Sequence, residues 1–253
     1  MKRYEPVGTC IYCGSVEDLR DEHIIPKALN GDWILPDASC RACEAITSKF
    51  EGKVLRGPLW LPRRALNLKT RHPDKQPDTF SLIVKKGNLE ERQQIHVDRN
   101  LPSVALPQYA VPGFLRGDEV LEGVRVEGCY VGHIQRTPED VIADLGADGI
   151  ALEFEYPVVE FAQMIAKIAY GYAVGELGLE QIRNPLVLPA IRGLSQDVGH
   201  WVGCIPGLLP KELEPDAFHA AAVVRNNGMV MGMVSLFALQ PAPLYSVLLS
   251  KGV

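Results

Sequence analysis

The stretch Cys10-Ile11-Tyr12-Cys13-Gly14, taken together with Cys40-Arg41-Ala42-Cys43, decides how the first fifth of the chain folds. A two-residue gap lets both thiolates of a pair reach one ion from a tight knuckle, and Gly14 suits a turn that needs a positive φ. The second pair runs into a helical pattern, in which Ala42, Ile46, Phe50 and Val54 recur every four residues as one apolar stripe. Four sulfurs delivered by a knuckle and a helix start suit the tetrahedral site of a structural Zn²⁺ ion. An iron–sulfur cluster and a set of plain reduced thiols are the rival readings. A segment of under fifty residues with few large apolar side chains needs such help, and structural zinc contributes about 10 kcal/mol or more in small modules.

Between the two pairs lies Leu19-Arg20-Asp21-Glu22-His23-Ile24-Ile25-Pro26-Lys27-Ala28-Leu29-Asn30-Gly31. A carboxylate followed at once by His and then Ile-Ile-Pro, inside this cysteine frame, resembles the HNH endonuclease family in its four-cysteine zinc-binding branch. The resemblance covers residues 8–56 and nothing beyond the following linker. It implies a ββα-metal, treble-clef-like module that hydrolyses DNA phosphodiester bonds. It also implies a catalytic Mg²⁺ or Mn²⁺ separate from the zinc. In that scheme His23 is the general base, since a neutral imidazole suits proton uptake near pH 7, and Glu22 holds the cation. A bulged strand end would bring these two neighbours to one site.

The motif is altered in two places. Asp37 stands where the family has an Asn that orients the His-bearing loop; an alternative role for it is to cap the following helix. No His or Asn follows the second cysteine pair. Glu44, Thr47, Ser48 and Glu51 instead share one helical face at i, i+3, i+4 and i+7, and carboxylates are good Mg²⁺ or Mn²⁺ ligands. Glu44 and Glu51 are therefore the candidate partners of Glu22 on the catalytic cation. The opposing reading is a silent motif, a zinc scaffold that binds nucleic acid or senses a ligand.

Charge supports a polyanionic partner locally. Residues 1–75 hold 13 Lys or Arg against 10 Asp or Glu, a net of +3, whereas the other residues hold 13 against 21, a net of -8. Lys53, Arg56, Arg63, Arg64, Lys69 and Arg71 crowd one short stretch and are candidate contacts to DNA phosphates; a solvated linker is the plainer reading.

The 253 residues, 47% hydrophobic and 23% charged, have an ordinary globular composition. No apolar run approaches the roughly 20 residues that span a bilayer, and no secretion-type leader follows Met1, so no membrane partner and a cytoplasmic location are expected. Three regions separate by texture: the zinc module over 1–56, a basic Pro-rich linker or arm over 57–78, and a larger α+β domain over 79–253. In the last, strands are expected at Phe80–Lys85, Gln94–Val97, Glu119–Val131 and Ala151–Tyr156. Pro157 opens a long helix, placed at its first turn, and Gly178 suits its exit. Ala220–Arg225 and Met229–Phe237 form a hairpin around Asn226-Asn227-Gly228, giving an antiparallel sheet with the helix on one face. Tyr170 and Tyr172 read as core or helix surface, and Cys129 and Cys204 as buried thiols.

Overall fold

The structure, a computed structural model, describes residues 2–70, 76–99, 103–134, 136–153, 155–205, 214–216, 218–238 and 242–251. The cysteine-bearing segment begins with strand β1 (Lys2–Arg3) and a knuckle at residues 10–14. Strands β2 (Leu19–His23) and β3 (Trp33–Cys40) and helix α1 (Arg41–Arg56) follow. Strand β3 is central, with β1 parallel on one side and β2 antiparallel on the other. Between the pairs Arg20–Ser39 and Glu22–Leu35, three residues of β3 oppose one of β2. Asp37 sits in this bulge at φ 49°, a conformation that Asp tolerates better than most residues. The carbonyls on either side of it are used: Pro36 accepts from Val7 N–H and Ala38 from Ile11 N–H. The bulge thereby holds the knuckle against the strand that leads into Cys40.

The expected stripe on α1 is rotated. Cys43, Thr47, Phe50 and Val54 face inward, while Ala42 is exposed. Thr47 and Glu51 therefore share the inward side, and only Ser48 and Glu44 lean outward. A tetrad counted as one polar face splits because the cysteine, not the alanine beside it, is drawn to the core.

Residues 57–70 are not an extended arm. They carry helix α2 (Trp60–Ala65), with Leu59, Leu61 and Leu68 buried. Next come β4 (Thr79–Lys86), β5 (Leu89–His96), β6 (Ser103–Tyr109), α3 (Gly113–Arg116), β7 (Val126–His133), α4 (Pro138–Leu145) and β8 (Gly149–Ala151). The sheet β5-β4-β8 and helix α4 enclose a small core of Phe80, Leu82, Val84, Ile95 and Val141, joined by Leu61 of α2. Strand β7 starts later than expected, after turns at Gly117 and Gly123 with φ 73° and 83°. Strand β8 ends at Ala151. Strands β6 and β7 form a two-stranded ribbon on which Cys129 is exposed, contrary to the expected buried thiol. An outward position on a two-stranded ribbon has nothing stacked on it.

The long helix α5 (Val158–Leu177) is present as expected, and it is buried on nearly every side from Phe161 to Val174. After it come α6 (Leu188–Ile191), α7 (Val198–Trp201), β9 (Val202–Cys204), β10 (Glu214–Asp216), β11 (His219–Asn226), β12 (Met229–Ser235) and β13 (Leu244–Ser250). The strands of this last group form one sheet in the order β10-β11-β12-β13-β9. Asn227 and Gly228, at φ 47° and 74°, make the two-residue turn of the β11–β12 hairpin. Helix α5 packs on this sheet, and Gly232 lets β12 approach Ala169, where a Cβ would meet the alanine methyl at 2.7 Å.

The opposite side of α5 carries α1 and the cysteine module. Trp33 packs on Tyr172 with ring centroids 4.9 Å apart, Tyr12 lies 6.3 Å from Tyr170, and the Tyr170 hydroxyl donates to Ile11 O at 2.8 Å. One hydrophobic core therefore runs from Cys10 through α5 to Leu249. The boundary in packing falls around the β4-β5-β8 sheet rather than at residues 57–78, because a helix apolar all round must be covered on both sides. Among the described residues no helix is long and apolar enough to cross a membrane.

Candidate functional site

Cys10, Cys13, Cys40 and Cys43 come together, with all four sulfurs within 4.8 Å of one another and Cys13 Sγ 3.6 Å from Cys40 Sγ. A tetrahedral ion with Zn–S of about 2.3 Å needs sulfurs spaced about 3.8 Å apart, so the donor set fits. Cys10, Cys40 and Cys43 are buried and Cys13 is exposed. Burial pushes the Cys40 thiol up, but the N–H of Cys43 and the neighbouring sulfurs outweigh it and bring the group down to about 7. Burial raises Cys10 and Cys43. Four thiolates at this spacing repel, and a divalent ion such as zinc is what allows all of them to ionise together.

Eight residues along α1 from Cys43, Glu51 enters a second polar cluster. Glu22 is buried, and its Oε1 lies 2.6 Å from Lys167 Nζ on α5. Glu51 Oε1 lies 3.1 Å from the same nitrogen. The Lys167 ammonium also donates to the carbonyls of His23 and, at 3.3 Å, Ile24. Burial pulls the ammonium down, yet Glu22 and Glu51 outweigh it and hold it above its ordinary value, so it stays charged. Burial in turn raises the Glu51 carboxyl. The Tyr12 hydroxyl is buried without a hydrogen-bond partner; burial first, then the charges of Glu22 and Glu51, push it well above the usual phenol range.

The expected ligands of a catalytic Mg²⁺ or Mn²⁺ are thus corrected. Glu22 and Glu51 do meet, but on an ammonium. Glu44 stands apart on the surface, paired with Arg20 at 3.2 Å. A hard divalent cation does not fit this arrangement, since the place between the carboxylates is closed and already holds the Lys167 ammonium. Among the described residues the four cysteines are the one group of three or more His, Cys, Asp or Glu spaced to hold a metal.

His23, at the end of β2, is half-buried, with an Nδ1 that is enclosed and has no partner. Burial first, then the Lys167 charge, lower its pKa, so the imidazole is neutral near pH 7. Asp37 is exposed and occupies the bulge. It does not cap α1, whose N-cap position is Cys40 and which has no side-chain cap. Its place is explained by backbone conformation.

The basic residues divide. Arg63 is buried, and its guanidinium donates to the carbonyls of Ala28, Leu55 and Lys69, so it is a brace for α2 and no phosphate contact. Lys53 pairs with Glu160 at 2.6 Å, Lys69 with Asp32 at 3.5 Å and Arg64 with Asp78 at 3.8 Å. Surface pairs of this kind are weak enough to exchange for a phosphate. Arg56 is exposed. Arg71 lies outside the described residues.

Sequence reasoning missed Lys167. The signal was present as the lone charge in Phe161-Ala-Gln-Met-Ile-Ala-Lys-Ile-Ala-Tyr-Gly-Tyr172. A cation inside a helix buried all round must have an anionic partner.

No family model, curated protein or solved structure matches this chain.

Proposed function

We propose that this chain is an HNH-type endonuclease that hydrolyses DNA phosphodiester bonds, with His23 as general base. One observation carries the reading: a neutral, half-buried imidazole ends the first strand of a strand–strand–helix unit whose four cysteines gather as a zinc site would require. The imidazole takes the proton of the attacking water, and Lys53, Arg56, Arg64 and Lys69 hold the flanking phosphates. No step is assigned to a divalent cation.

The test is plasmid nicking by the purified protein beside a His23→Ala variant of equal zinc content, in buffers with and without Mg²⁺ or Mn²⁺. A general base contributes about 10²–10⁴-fold, so the variant is expected to lose at least a hundredfold. Equal nicking by both proteins removes His23 from the chemistry.

A second reading is favoured by the Glu22–Lys167–Glu51 cluster: a zinc scaffold that binds nucleic acid or senses a ligand without cutting. DNA binding with no nicking under any metal selects it.

A further inference from the structure

Hard divalent cations take carboxylate and carbonyl oxygens, and such a set is assembled here. Glu22, Glu51 and the main-chain oxygens of His23 and Ile24 converge at the strand end next to His23, where the resemblance places a metal. The centre of the set is a nitrogen from a distant part of the chain. We infer that Lys167 is a built-in cation that permanently fills the Glu22–Glu51 site, so that this protein takes no Mg²⁺ or Mn²⁺ there. The inference rests on the HNH-type reading only for the identity of the site; the cation exchange itself stands on the contacts.

Three observations favour the tethered ammonium over a free ion. Lys167 side-chain exposure is 2% and that of Glu22 is 7%, so an ion would have to arrive stripped of water, which Mg²⁺ resists. The amine is supplied by a helix fixed in the core, and a tethered group competes at a high effective concentration. The helix is also shaped for the approach. Two turns on from Lys167, Gly175 has no room for a side chain, since a Cβ there would meet the Tyr4 ring at 2.8 Å. Lys167 is thereby a positioning residue: through the His23 and Ile24 carbonyls it sets where the imidazole begins.

Mn²⁺ binding to the full-length, zinc-loaded protein tests this, by electron paramagnetic resonance and calorimetry. The wild type is expected to take up no Mn²⁺ dependent on Glu22 or Glu51, and Lys167→Ala to gain one site. Adding Glu51→Gln to that variant should weaken the new site at least about tenfold, as losing even an outer-shell partner does. A structural role alone would not create a metal site. Mn²⁺ uptake by the wild type that Glu22→Gln abolishes would overturn the inference, as would a folded Lys167→Ala that takes none. Should Lys167→Ala not fold, the ¹⁵N signal of the wild-type Lys167 ammonium decides. It should be slow to exchange and unmoved by excess Mg²⁺, and its displacement by Mg²⁺ would refute the proposal. The nicking assay is independent of these readouts. Loss of the nuclease reading with the Mn²⁺ pattern intact, or the reverse, tells the two apart.

Discussion

Helix α1 joins two polar clusters that answer the same electrostatic problem differently. At its start, four sulfurs sit at spacings that call for an ion from solution, and one of them, Cys13, stays exposed. Two turns on, two carboxylates share one cation that the chain itself carries on α5. The first arrangement has room for an ion from outside the chain; the second is filled by a side chain from far along it.

The difference can be broken from either end. Cys40→Ser, or stripping of zinc by a chelator, has the largest expected effect. A structural zinc site contributes about 10 kcal/mol, comparable to the whole stability of a typical domain, so the module should lose its fold. Zinc content and far-ultraviolet dichroism measure this, and an unchanged spectrum in the metal-free protein would contradict it. Lys167→Met comes next. Removing one partner of a buried ion pair costs about 3–5 kcal/mol, and replacing Glu22 and Glu51 by Gln in the same chain should restore much of it. Urea unfolding of the single and triple variants gives both numbers.

A smaller effect, set by pH, reports the seam between the module and the C-terminal sheet. His219 on β11 bonds Leu29 O through Nε2 at 2.8 Å and accepts from Phe237 N–H at Nδ1, and burial lowers it from 6.5 to about 4. The unfolded chain takes up this proton before the folded one does. Its contribution is therefore complete above about pH 6.5 and is lost as pH falls towards 4, a change of about 3 kcal/mol. His219→Gln keeps a donor and an acceptor and should flatten that part of the stability–pH curve. The smallest effect is Glu44→Ala. It breaks an exposed pair with Arg20 and should cost under about 1 kcal/mol, leaving zinc content and nicking unchanged.

What the sequence made legible was local. The cysteine spacing, the Pro157 and Gly178 ends of α5 and the Asn-Gly hairpin each depend on a few neighbouring residues, and each is found in place. What it hid was partnership across the chain. Glu51 reads as a candidate ligand of a catalytic cation until α5 brings Lys167 to it. Arg63 reads as one of a basic run until Ala28, Leu55 and Lys69 turn their carbonyls on it. The rotation of α1 has the same origin: spacing alone weighs Ala42 and Cys43 equally, whereas the sulfur cluster claims the cysteine. Whether His23 performs hydrolysis is a question of chemistry, which the nicking assay addresses.

The Lys167 bond to the His23 carbonyl spans 144 residues. A ribosome working at about 5–20 residues per second needs on the order of ten seconds to travel that far. All four cysteines are therefore synthesised well before the residue that supplies the counter-charge of Glu22 and Glu51. Until α5 is made, Glu22 and Glu51 are without the ammonium that faces them in the finished chain.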